Sequence, residues 1–217
     1  MATPTPHPAP AGLRERKKQR TRDALIRAAL ELFTEQGYEA TTIDEIAEAV
    51  DVSQRTYFRY FANKEDVAFA VQGMVEARFF DELTARPAAE APLTALRSAV
   101  MVAWDDIGSV IESVIPVELY MRSFRMIEST PALVAAHLRR SSELEEQIAL
   151  LIARREGLDL DADPRPRVLV AAFSGVMRVA GRVWGEGEDC SVASIREVAQ
   201  SYLDQIGPAM DDDWRAR

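Results

Sequence analysis

Between Thr42 and Tyr60 the chain carries two helix starts separated by a turn of two residues, Asp51 and Val52, and that spacing leaves little freedom for the fold around it. Thr42 followed three residues later by Glu45 is a capping-box pattern, in which each side chain satisfies a free backbone donor of the other residue. Ile43, Ile46 and Ala47 then form the inner face of a short helix ending near Val50. Ser53 caps a new start, and residues 54–61 form a third helix. Two helices so short bury too little to stand alone, so the helices on either side must supply the core.

Those neighbours are present. Residues 14–36 carry Leu25, Ala28, Ala29, Leu32 and Phe33 on one stripe, with Gly37 where a left-handed cap is wanted. Asn63 caps a fourth helix with Asp66 in its first turn, and Val67, Ala70, Val71, Met74 and Val75 form its inner face. Two prolines, Pro87 and Pro92, break any continuation. Beyond them the periodicity predicts helices at 93–113, 116–127, 131–156, 165–185 and 191–207, with Pro116 and Pro131 at starts and Gly157, Gly185 and Gly187 at ends. No segment alternates with period two. The expectation is an all-α fold of about nine helices: a disordered tail over 1–13, a three-helix head over 14–62, a connecting helix over 63–85, a larger helical body over 86–210 and a second tail over 211–217.

Charge separates the head from the body. The net charge of −9 argues against a nucleic-acid partner until its distribution is considered. Arg14, Arg16, Lys17, Lys18, Arg20, Arg22 and Arg27 face only Glu15 and Asp23 in the same stretch, so residues 1–64 sum to +1 and residues 65–217 to −10. Such a chain turns its basic edge towards phosphates and its acidic body away. On a helix over 54–61, Tyr57 and Phe61 share the inner side while Gln54, Arg55 and Phe58 face out. Glutamine pairs with adenine and arginine with guanine in the major groove, and Thr56 offers a hydroxyl or a methyl. Thr42, Tyr60 and Lys64 flank that face with donors for phosphates. The candidate DNA-contacting residues are therefore Thr42, Ser53, Gln54, Arg55, Thr56, Phe58, Tyr60 and Lys64.

The stretch FTEQGYEATTIDEIAEAVDVSQRTYFRYFANKEDV resembles the DNA-binding head of TetR-family transcriptional regulators. The resemblance covers roughly residues 18–75. It implies a homodimer on a pseudo-palindromic double-stranded DNA operator and a body that binds a small molecule at the cost of DNA affinity. By position, it places Thr42, Gln54, Arg55, Thr56, Phe58, Tyr60 and Lys64 where that family contacts DNA. Asp51 departs from a usual glycine, a position where aspartate tolerates left-handed backbone. Phe58 departs from a common tyrosine and removes a phosphate hydroxyl. The form of residues 54–61 is similar to a branch associated with acyl-CoA-like ligands.

In the body, the helix over 165–185 has apolar side chains on two arcs, Val168, Leu169, Ala172, Phe173, Val176 and Val179 on one and Val170, Met177 and Trp184 on the other. With Ile195, Val198, Tyr202 and Ile206 of the last helix, it suits an isologous dimer seam or an internal core. Met101, Trp104, Tyr120, Phe124, Phe173, Met177 and Trp184 are candidates to line an apolar ligand cavity, or else to fill the core. Arg122 and Arg125, or Arg178 and Arg182 four apart, offer charge for an anionic head group, or else form a solvated face. His137 reads as a surface or structural residue. The alternative function is a DNA-binding regulator whose body has no pocket and responds to a protein partner or only dimerises.

Other classes are disfavoured. No G-x-S-x-G, Gly-rich phosphate loop or H-E-x-x-H is present, so no enzyme is expected. One cysteine, Cys190, reads as a bystander, and with two histidines no metal site or cofactor is expected. The start of the chain has no signal-peptide pattern. The most apolar run, Val168–Met177, is about half the roughly 20 residues of a membrane helix, which gives a cytoplasmic expectation without membrane contact.

Overall fold

A computed structural model describes residues 12–207 apart from 188 and 190. The expected tails, apart from residues 12 and 13, and Cys190 lie outside the described residues. Among the described residues the chain is helical, without a strand: α1 (Leu13–Gln36), α2 (Ile43–Ala49), α3 (Gln54–Phe58), α4 (Lys64–Ala68), α5 (Ala70–Ala85), α6 (Pro92–Glu112), α7 (Val117–Ser129), α8 (Pro131–Glu156), α9 (Arg165–Glu186) and α10 (Val192–Leu203). The all-α expectation holds, with one connection made differently. The expected connecting helix is two pieces, α4 and α5, meeting at Phe69 (φ −94°, ψ 6°).

Local chemistry sets the boundaries in the head. Thr42 Oγ1 accepts from Glu45 N at 3.2 Å and Glu45 Oε2 accepts from Thr42 N at 2.7 Å, the reciprocal cap predicted from spacing. These bonds hold the Glu45 carboxyl below the usual carboxylate range, the backbone donor of Thr42 first among the causes. Ser53 Oγ accepts from Thr56 N, and Asn63 Oδ1 accepts from Asp66 N. Asp51, between α2 and α3, has φ 54°, the left-handed backbone where glycine is usual. Leu25, Ile26, Ala29, Ile46 and Tyr57 are fully buried where α1, α2 and α3 meet.

One apolar core runs from these residues into the body. α1 packs against α7 as well as α2 and α4, and Arg27 Nη2 donates to Val114 O at 2.8 Å in the turn between α6 and α7. Arg27 is thereby drawn out of the basic run and into the junction of head and body. In α9, Val170, Phe173, Ala180 and Trp184 are buried against α8 and α10, while Val168, Ala172, Val176, Val179 and Val183 stay half-buried or exposed along one outer stripe. Phe173 thus belongs to the inner arc and not to the arc of Val168. By length and composition α9 is long and apolar enough to cross a membrane, which the shorter run counted from sequence did not reach. Gly185 is the penultimate residue of α9, in its last turn as expected, and a Cβ there would meet Phe124 Cε1 at 2.7 Å.

Candidate functional site

The outer face of the head is built on α3. Tyr57 is fully buried with its hydroxyl donating to Asn63 O at 2.9 Å, and Phe61 is buried beneath the Arg22 guanidinium, 5.5 Å from its ring. With those two rings fixed inward, Ser53, Gln54 and Arg55 are exposed at the start of α3, and Phe58 is 49% exposed on the same side. Thr56 is half-buried, its hydroxyl 3.0 Å from that of Ser53. Tyr60 is half-buried and flanked by Arg59, whose Nη2 donates to its hydroxyl at 3.3 Å. Arg59 is an exposed cation beside this face that the sequence reading did not single out.

Two flanking candidates have other tasks. The Thr42 hydroxyl donates to Glu45 Oε2 at 2.9 Å while accepting from Glu45 N, so it is committed to the cap. Lys64 Nζ donates to Tyr38 O at 2.7 Å and Thr41 O at 2.8 Å and sits 4.4 Å from the centre of the Tyr38 ring. It clamps the turn between α1 and α2 and retains one of its three donors.

A cavity of about 260 Å³ opens in the body among α5, α6, α7, α8 and α9. Trp104, Phe124, Phe173 and Met177 line it, as expected; three candidates do not. Met101 lies round α6 towards α10, in a groove with Arg97 and Arg196. Tyr120 is half-buried on α7 outside the lining, its hydroxyl pushed up to about 12 by burial and by Glu76. Trp184 is buried behind Phe124, edge-on at 5.6 Å, with Nε1 donating to Ser191 O. The remaining apolar wall includes Val75, Phe79, Val100 and Ile148.

Of the polar lining, the sequence pointed to Arg178 and Arg182 but not to Gln72, Glu76, His137 or Ser141. Gln72 Nε2 and His137 Nδ1 are 3.4 Å apart at the cavity, and Ser141 lies one turn along α8 from His137. His137 therefore lines the pocket, which its reading as a surface or structural residue did not include, and it also stacks on Phe69 at 6.1 Å between centroids. Arg140 covers Phe69 at 5.3 Å and donates to Glu76 at 2.9 Å. Burial raises the Glu76 carboxyl against the opposing pull of Arg140. Arg139 reaches Glu65 of α4, and Arg178 pairs with Glu145 at the cavity edge. Among the described residues no group of three His, Cys, Asp or Glu side chains is placed to hold a metal ion.

Residues 25–71 match the profile of bacterial regulatory proteins of the tetR family, and residues 90–208 match the MftR C-terminal domain. The chain is 45% identical to the HTH-type transcriptional regulator TcmR of Streptomyces glaucescens, over 94% of this chain and 90% of that one. The chain belongs to the TetR family. Its head, with two capped helices and Gln54 and Arg55 at an exposed helix start, is that of a DNA-binding transcriptional regulator. Solved TetR-family structures share its fold. NalD, the secondary repressor of the MexAB-OprM multidrug efflux pump in Pseudomonas aeruginosa, superposes with a TM-score of 0.57 at 20% identity, over 92% of this chain and all of that one. A SmeT–triclosan complex gives 0.55 at 19% identity, over 91% and 95%.

Proposed function

We propose that this regulator is a repressor that grips a pseudo-palindromic operator as a homodimer and releases it when a small apolar or amphipathic molecule enters the body. The observation that carries the reading is the pairing of an exposed Gln54–Arg55 helix start with a cavity whose wall includes α5, the helix that continues from the head. In this reading Gln54 and Arg55 read bases, while Ser53, Thr56, Tyr60 and Arg59 approach the backbone. Phe58 offers apolar contact, and Lys64 reaches a phosphate only with its spare donor. Thr42 acts through the cap.

The outer stripe of α9, with Ile195, Val198 and Tyr202 of α10, is the dimer face, since an apolar stripe left half-open on packed helices fits an isologous partner. The protein acts in the cytoplasm, where its operator lies. The effector rests its apolar part against Phe79, Trp104 and Phe173. An acyl-CoA-like effector, the narrower form of this reading, would place its acyl chain there and its phosphates near Arg182, and near Arg178 only by displacing Glu145 from it. The occurrence of a bound small molecule in the SmeT structure and the repressor role named for NalD support the proposal.

The test is selection of bound genomic fragments, followed by titration of the recovered operator with wild type and Arg55→Ala. The substitution is expected to weaken specific binding by roughly 1–3 kcal/mol and to relax one base position. Unchanged affinity and selectivity would remove Arg55 from the reading set.

A further inference from the structure

One side chain meets the cavity and the break between α4 and α5 at once. His137 faces the cavity beside Gln72, and its ring stacks on Phe69, the residue at which the connecting helix changes direction. The same stretch of α8 holds the junction from two further sides, through Arg139 to Glu65 and through Arg140 to Phe69 and Glu76. α8 therefore touches the ligand space with one part of a turn and the head's attachment with the other.

Resting on the ligand-responsive reading above, we propose that Gln72 and His137 form a subsite for an uncharged hydroxyl or carbonyl group of the effector, and that occupying it withdraws the His137 ring from Phe69 and loosens the head. A neutral imidazole has one donor and one acceptor, and a carboxamide has both, so the pair can meet a hydroxyl or a carbonyl without a net charge. The charged groups around the ring are Arg140 on its own helix, Arg178 on α9 and Glu128 on α7; Gln72 of α5 is uncharged. Burial first, then the two arginines, hold His137 below its ordinary value against the pull of Glu128, which keeps the ring neutral near pH 7. The arginines are not free to attract an anion to this end, because Arg140 is paired with Glu76 and Arg178 with Glu145. A carboxylate brought to Gln72 would also lose its water without a matching cation.

The experiment compares two probes with the same apolar body, 2-naphthol and 2-naphthoate, on the full chain. Binding is followed by tryptophan fluorescence, since Trp104 lines the cavity, and transmission by anisotropy of labelled operator. The neutral probe is expected to bind and to release operator at concentrations at least about tenfold below the anion, because a site built for hydrogen bonds rejects a group it cannot match. His137→Phe retains a ring for Phe69 and removes the polar atoms, so the preference collapses. His137→Gln retains polar atoms and removes the ring, so 2-naphthol still binds but no longer releases operator. A naphthoate preference, an unchanged preference in His137→Phe, wild-type release in His137→Gln, or no binding of either probe each overturns the proposal. Operator binding by the probe-free protein reports on the regulator itself, so that reading stands or falls separately.

Discussion

Where the head packs, Leu25, Ile26, Ile46 and Tyr57 have no surface left open to solvent, whereas in the body Phe79, Trp104 and Phe173 keep 4–8% of theirs around a cavity of about 260 Å³. Both regions are helices on an apolar core, and they differ in what the core is for. A duplex presents bases and phosphates at fixed spacing, so the helix that reads it must be held by neighbours that do not yield. A small molecule must be admitted, so the body leaves unfilled volume and surrounds it with ion pairs such as Arg140–Glu76 that can rearrange.

The strongest way to break that contrast is to hollow both cores. Phe33→Ala in the head, where the ring is 1% exposed and edge-on to Tyr38, is expected to cost about 3–5 kcal/mol in chemical denaturation. Phe173→Ala is expected to cost about 1–2 kcal/mol less, because part of its ring already faces empty space and has fewer contacts to forfeit. Equal losses would show the body to be as tightly filled as the head. A smaller effect sharpens the account of the head. Thr42→Ala is expected to remove about 1 kcal/mol of stability and Thr42→Ser to restore it, since the hydroxyl serves the cap. Reduced operator affinity in fully folded Thr42→Ser would instead give the threonine methyl a part in DNA contact.

The least effect is set by pH. The pKa of His137 is held below its ordinary 6.5 in the folded protein, so the unfolded chain takes up the proton first as acid is added. Stability at this site is unaffected above that value and is lost as the pH falls from 6.5 towards the folded pKa. The thermal midpoint of wild type should therefore fall relative to His137→Phe on acidification and run parallel to it at pH 8. Parallel curves throughout would place the ring in open solvent.

The same contrast explains what could be read before the fold was seen. Caps and turns are set by residues three or four apart, so Thr42–Glu45, Ser53, Asn63 and the left-handed Asp51 follow from local spacing, and most helix limits with them. Tyr57 and Phe61 also fall inward by helical period alone. The residues whose surroundings the sequence did not show all depend on distant partners. Lys64 is claimed by carbonyls of Tyr38 and Thr41 in the turn between α1 and α2, more than twenty residues away. Met101 and Trp104 are only about 60° apart round one helix, and whether a given direction meets α10 or the cavity is decided by packing that no period encodes. The break at Phe69 has no proline or glycine to announce it. His137 gains its position only once α8 lies across that break.

Gly185 carries a consequence for how such a regulator diversifies. It does not line the cavity, yet the ring of Phe124 that does so rests where the β-carbon of any other residue would stand. A single codon change at 185 would displace that ring and so reshape the cavity wall without changing the identity of any lining residue. Selectivity in this body is thus open to inheritance from outside its own contact surface, one carbon at a time, with the operator-reading residues untouched.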